Sequence, residues 1–433
     1  MEKKFYPELS ETVYRHTLPN GLPIILVSRP GFSRKLAYFV TDMGGMHTEF
    51  SVDGQPCRVP DGIAHYLEHK LFDMPDGEVS EKFAQLGANV NAFTGYDMTA
   101  YYFMCTEHFP EALKLLLEFV STPYFTEASV QKEQGIIGQE IDMNLDNPDT
   151  RIFENLVSGV YTNHPVTTPI LGTRESIAGI TPELLEKTHK AFYRPDNMLL
   201  CVVGDLDMEQ VCQIAQEVLP EKPSQTVTVP RSWEEEMTVS TPVTTCQMEV
   251  AMPNFLLGFK CEPLGKGQEA VRREFIGDLA AEALFGESSQ LYLQMYEQGL
   301  IDSGFGGGFE TVEGMAMLTA GGDSDYPEQV RDAILHQAKV LCESGIAEAD
   351  FLRMKRSAMG RRLRDLDSFD STCFRMCAYH FSGFDYFEFP TVYRQVCAQD
   401  VLDFLKRVVI PERCSLSVIY PKECKEDTHV RTE

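Results

Sequence analysis

The sequence predicts an α+β fold made of two homologous domains, each a mostly antiparallel sheet covered by helices on one face. Two observations carry this. Strand and helix signals follow the same order before and after a seam near residues 219 to 237, with a repeat of roughly 210 residues, far too long for a solenoid. The seam itself holds three prolines, a Glu run and the only tryptophan, without a sustained helical or alternating apolar period. It reads as a linker, so the domains fall at residues 1–222 and 239–433, joined by 223–238.

Local signals then justify each element. Residues 14–28 read as a hairpin turning at Asn20-Gly21, a pair that accepts the positive φ angles of a tight turn. A strand at 36–43 follows, then helices at 61–74 and 78–86, strands at 88–94 and 98–105, and helices at 107–120, 127–146 and 182–192. A strand at 198–203 and a helix at 207–218 close the half. Helix 127–146 takes Thr126 as N-cap, with Glu127 in its first turn. Beyond the seam come strand 246–260, helices 267–285 and 289–298, and strands 302–309 and 314–321. Helices 327–343, 347–366 and 398–407 and strand 413–420 complete the chain.

Composition narrows the function. At 43% hydrophobic and 24% charged, 433 residues fit a folded globular chain and exclude disorder and collagen. With 65 acidic against 38 basic residues the net charge is −27, which repels phosphate backbones and anionic lipid. Neither nucleic acid nor a membrane is expected as a partner, whereas basic or neutral ligands are favoured. No apolar run approaches the roughly 20 residues that cross a bilayer, and no signal-peptide pattern follows Met1, so a cytoplasmic location is expected. Twelve cysteines without a framework of short even spacings suit reduced thiols packed as small hydrophobes. Cys373, Cys377 and His380 share a helical stripe and read as core. The basic run from Arg353 to Arg364 reads as a solvated or partner-facing helix face.

The most informative segment is His65-Tyr-Leu-Glu68-His69. On a helix the two histidines lie one turn apart with Glu68 beside them, while Ile63, Leu67 and Leu71 turn towards the other side. Two imidazoles so spaced can hold one Zn²⁺, leaving a third protein ligand to come from elsewhere and Glu68 to sit beside the open position. Helix 127–146 offers that third ligand: Glu133 and Glu140 are seven apart and stack on one face. Gly135 and Gly138, each costing about 1 kcal/mol inside a helix, suggest close approach of another backbone.

This pattern resembles the inverted-motif zinc peptidases of the pitrilysin and insulin-degrading-enzyme superfamily, which includes mitochondrial processing peptidase, in its short-chain bacterial form. Leu18-Pro-Asn-Gly21-Leu, Asn89-Val-Asn91-Ala92-Phe93-Thr94, Thr99-Ala-Tyr101-Tyr102, Pro169-Ile-Leu-Gly172-Thr173, Tyr193-Arg-Pro-Asp-Asn197-Met and Gly204-Asp205 are similar to further family segments, in the family's order. The resemblance implies a clam-like pair of domains and one zinc ion per chain, held by His65, His69 and Glu140. It also implies Glu68 as general base, Glu133 as a carboxylate that orients a ligand, and Asn91, Ala92 and Phe93 as the edge to which a peptide substrate adds as a strand.

The second half departs from the family pattern. Where the resemblance leads one to expect an Arg and a Tyr seven apart that grip the substrate, this chain has Met295 and Asp302. Neither donates a hydrogen bond to an oxyanion at neutral pH. The expectation is therefore a zinc peptidase of short or unfolded peptides, working as the zinc-bearing subunit of a heterodimer with a paralogue or as a homodimer. The chain acting alone through Tyr292 or Tyr296, and a catalytically silent scaffold subunit, are the alternatives.

Overall fold

In the computed structural model, which describes residues 1–221 and 225–422, the two halves repeat one topology. The first opens with β1 (Glu2–Tyr6), β2 (Glu11–Thr17), β3 (Pro23–Ser28) and β4 (Lys35–Thr41). It continues through α1 (Ile63–Leu71), β5 (Asn89–Thr94), β6 (Thr99–Cys105), α2 (Phe109–Ser121), α3 (Glu127–Leu145) and α4 (Pro148–Val160). Helix α5 (Pro182–Phe192), β7 (Met198–Gly204) and α6 (Met208–Val218) end it. The second half contains β8 (Val243–Met248), β9 (Asn254–Lys260), α7 (Gly267–Phe285), β10 (Gly306–Val312), β11 (Met315–Asp323), α8 (Phe369–Phe381) and β12 (Cys414–Pro421).

The first sheet has the order β1-β2-β3-β7-β4-β6-β5, and the second β8-β12-β9-β11-β10. Each contains one parallel pair, β3 with β7 and β8 with β12, and is otherwise antiparallel. Without β1 and β2 the two orders coincide strand for strand, as expected of a duplication. The single strand expected at 246–260 is two strands with different neighbours, β8 along β12 and β9 between β12 and β11. Pro253, which cannot donate to a ladder, lies at the break.

Each half's own helices cover one face of its sheet. In the first half Leu67, Leu113, Leu116, Ile137 and Leu185 pack on Leu26, Phe39 and Tyr101. The opposite face takes a helix lent by the other half. Helix α4 lies across β12, β9 and β8, with Leu156 against Gly258, where an added Cβ would come within 3.1 Å of it. Helix α8 lies across β7 and β4, and its Cys373 and Cys377 join Tyr38 and Cys201 of the first sheet and Leu257 and Leu416 of the second in one continuous core. The eleven described cysteines all carry free thiols. The clam-like pair is thus fused through its middle.

The seam is pinned to both halves. Glu235 accepts hydrogen bonds from Lys260 Nζ (2.7 Å) and from the backbone N–H groups of Asn163 (2.5 Å) and His164 (2.8 Å), and Lys260 is only 2% exposed. Arg231 bridges Asp42 (2.6 Å) and Glu313 (2.5 Å), one from each half. The boundary expected between residues 222 and 223 lies outside the described residues. Arg362 departs from the expected solvated face: it is buried over Phe275 and paired with Asp278 and Glu274. Among the described residues no helix is long and apolar enough to cross a membrane.

Two outcomes follow for stability. Glu235→Ala strands a buried ammonium and is expected to cost about 3 to 5 kcal/mol in urea unfolding, with both halves melting in one transition because they share a core. Burial holds the His189 imidazole down to about 4 from 6.5, despite its hydrogen bond to the Val120 carbonyl. Between these values the unfolded chain takes up a proton that the folded chain refuses, so stability falls as pH drops from 6.5 towards 4. Urea titrations at neutral and mildly acid pH should show a shallower loss for His189→Gln.

Candidate metal centre

Helix α1 starts where the chain bends sharply at Gly62, whose φ of +91° is left-handed and whose Cβ, if present, would meet the carbonyl carbon of Leu171 at 2.9 Å. Gly172, at φ +71°, packs on the Asp61 carbonyl, and Ser176 Oγ donates to that same oxygen at 2.9 Å. The loop around Gly172 therefore clamps the first turn of α1. The apolar face carrying Ile63, Leu67 and Leu71 is buried, and the other face turns to α3. Thr126 caps α3 through a reciprocal pair with Ser129, and the Tyr66 hydroxyl donates to the Val130 carbonyl, tying the two helices together.

That tie sets the spacing of the donors. His65 Nε2 lies 3.6 Å and His69 Nε2 3.5 Å from Glu140 Oε2, and the two imidazole centroids are 4.6 Å apart. One donor atom from each of the three residues falls within 4.8 Å of the others. Nitrogen and oxygen donors about 2.0 to 2.2 Å from a tetrahedral zinc lie roughly 3.3 to 3.5 Å from one another, so this donor set fits that ion. Glu133 Oε1 is 3.0 Å from His69 Nδ1, which leaves Nε2 to face Glu140. Burial first, and then the neighbouring His69, lowers the His65 pKa to about 3, keeping its ring neutral as a ligand must be. His65 Nδ1 is buried with no hydrogen-bond partner among the described residues, so Nε2 is the nitrogen that faces the carboxylate.

Glu68 stands beside this cluster and accepts a 2.6 Å hydrogen bond from Thr94 Oγ1. Burial pushes its carboxyl pKa up, opposed by that hydrogen bond and by His69. Thr94 ends β5, the free edge of the first sheet, so the helix carboxylate and the edge strand are directly joined. On β5, Val90 and Ala92 face the α1 side and Phe93 the α8 side. The Ala92 N–H points out from the edge, where Asn91 Oδ1 accepts it at 2.9 Å. The sequence singled out Asn91, Ala92 and Phe93; it did not give Thr94 or Tyr66 a role, since hydroxyl partners 26 and 64 residues away leave no local pattern.

Three expectations need correction or gain a different reason. Gly138 makes room for Arg174, whose Nη1 would lie 2.6 Å from an added Cβ, rather than for the α1 backbone. Gly135 faces open space, and nothing in the structure explains it. Met295 is buried in the core, and Asp302 accepts a 2.7 Å hydrogen bond from the Gly304 N–H at a turn, so neither stands in for the Arg and Tyr that the resemblance implied. Tyr296 is half exposed and stacks on Tyr292, 6.1 Å between centroids.

Both halves of the chain are similar to known proteins. Residues 59–174 match the family described as Insulinase (Peptidase family M16), and residues 179–358 match its companion, the Peptidase M16 inactive domain. The chain is 36% identical over 424 residues to the uncharacterized zinc protease YmfH of Bacillus subtilis (strain 168), covering 96% of this chain and 98% of that one. Among solved structures, a chain from Alicyclobacillus acidocaldarius described as M16-like is 30% identical with a TM-score of 0.90, covering 95% of this chain and 99% of that one. Pitrilysin shares the fold at 17% identity with a TM-score of 0.76, and 97% of this chain superposes on 46% of it.

Proposed function

Since the chain belongs to the insulinase (M16) family of peptidases, we propose that it is a zinc-dependent hydrolase of peptide bonds in short or unfolded peptides. The observation that carries this is the convergence of His65, His69 and Glu140 with Glu68 alongside. In this reading His65, His69 and Glu140 hold the ion, and Glu133 orients His69 through Nδ1. When bound, zinc supplies Lewis acidity that polarises a carbonyl and makes water a better nucleophile.

The remaining steps belong to the chain's own residues. A peptide extends the first sheet beyond β5, displacing the Asn91 amide from the outward Ala92 N–H and pairing with it. Glu68, fixed by Thr94, takes a proton from the attacking water and passes it to the leaving amine. Because Met295 is core and Asp302 a turn cap, the donors that would steady the tetrahedral oxyanion come from a second chain, a paralogue in a heterodimer ahead of a second copy. The two halves of one chain share a core, so a chamber around the substrate is closed by that second chain.

Zinc titration followed by calorimetry is expected to give one site per chain, abolished by His65→Ala and weakened about 10- to 100-fold by Glu133→Gln. A well-folded chain that takes up no zinc would support the silent scaffold instead. Glu68→Gln should keep its zinc and lose about 10²- to 10⁴-fold in hydrolysis of a quenched fluorescent peptide. Peptidase assays of the chain alone and with its co-purifying paralogue are expected to show strong activity only for the pair; full activity in isolation would refute the need for a second chain.

A further inference from the structure

An open cavity of about 380 Å³ lies on the face of the first sheet opposite α1, between the free edge and helix α8. Its floor is aromatic. Tyr38 and Tyr102 are direct partners on β4 and β6 and stack with centroids 4.6 Å apart. Phe93 on the edge strand reaches over both, at 6.4 Å from each ring. The roof is the first turns of α8, where Phe374 lies 5.9 Å from Phe93 and is 43% exposed.

Charge gives this aromatic slot a sign. Asp370 lines it, exposed, and accepts a 2.6 Å hydrogen bond from the Tyr38 hydroxyl through Oδ1, which fixes the carboxylate against the rings. The one cation in the wall, Arg375, is already committed: it pairs with Asp365 at 2.7 Å and lies over the Tyr386 ring. The slot therefore joins exposed ring faces to an anchored carboxylate, in a chain of net charge −27.

Its position relates it to the peptide edge. Successive residues of a strand point to opposite faces, and directly paired residues on neighbouring strands point to the same face. Val90, Ala92 and Thr94 of β5 face α1, so the side chain that an added strand sets opposite Ala92 faces the histidines. Its neighbours, opposite Asn91 and Phe93, turn to the α8 side of the sheet, the side that carries Phe93, Phe374 and Asp370.

We infer that this slot is a specificity pocket for a lysine or arginine side chain of the bound peptide, one residue away in the strand from the side chain that faces the histidines. The alkyl stem lies along Phe93 and Phe374, the cationic head sits against the ring faces, and Asp370 provides the counter-charge. This rests on the reading of β5 as the peptide edge, and the two are separable by binding measurements that need no catalysis.

The test uses the full chain as the zinc-loaded Glu68→Gln variant and fluorescein-labelled, alanine-based octapeptides in which a single Lys, Leu or Glu is walked along the sequence, read by fluorescence anisotropy. At least one position should bind Lys about tenfold tighter than Glu. That preference should vanish with Asp370→Asn, reverse in favour of Glu with Asp370→Lys, and weaken about threefold with Phe374→Ala. Asp370 and Phe374 are surface residues, and thermal unfolding verifies that the variants remain folded. Peptide binding without a Lys preference, or a preference unchanged by Asp370→Lys, would overturn the pocket and leave the peptide edge standing. A folded, zinc-loaded chain that binds none of the peptides would overturn both.

Discussion

Two helices set in fixed register are the constraint on which the site depends. A pair of imidazoles one turn apart on α1 can share an ion with a carboxylate only if α3 presents that carboxylate at the right height and distance. The Tyr66 hydroxyl on the Val130 carbonyl and Glu133 on His69 fix that register at two points, 3.0 Å apart in the second case. At the other end, the Gly172 loop clamps the start of α1. The donors therefore approach to about 3.5 Å. Electrostatics differ between the two rings: burial keeps His65 neutral, whereas at His69 the opposing effect of burial is outweighed by the Glu133 hydrogen bond and the carboxylates of Glu68, Glu133 and Glu140, which raise its pKa.

Exchange of helices between the halves explains how a duplicated fold can specialise. Each sheet needs cover on both faces, and each half supplies helices for only one, so α4 and α8 cross over and the cores merge. A merged core removes the freedom of one half to swing on the other. It also releases the second half from keeping chemistry of its own: β10 occupies the topological place of β5, yet the matching helix α7 carries no histidine. The second half instead gives α8, which roofs the slot beside β5.

Much of this was legible in the sequence because it is local. The i, i+4 histidines, the Glu133/Glu140 stack, the Thr126 cap and the Asn20-Gly21 turn each announce themselves within a few residues, and the structure brings the histidines and Glu140 together. What could not be read depends on distant partners. Helix α4 is not among the expected elements, although Asn147 caps it and Pro148 stands in its first turn; the same pair also suits the end of α3, and only the sheet that α4 covers distinguishes the two. Pro253 splits what looks like one strand, because the pattern of apolar residues does not reveal a change of neighbours. Arg362 sits in a run of basic residues that suggests solvent, and its burial follows from Glu274, Asp278 and Phe275 on a helix eighty residues or so earlier. Thr94 on Glu68 belongs to the same class.

The most direct test of the central claim is anomalous X-ray scattering at the zinc edge from crystals of the zinc-loaded chain. The account predicts one strong peak per chain, about 2.0 to 2.2 Å from His65 Nε2, His69 Nε2 and a Glu140 carboxylate oxygen, with Glu68 beside it but not bound. A sole peak at any other residues, or none between α1 and α3 at zinc saturation, would contradict it.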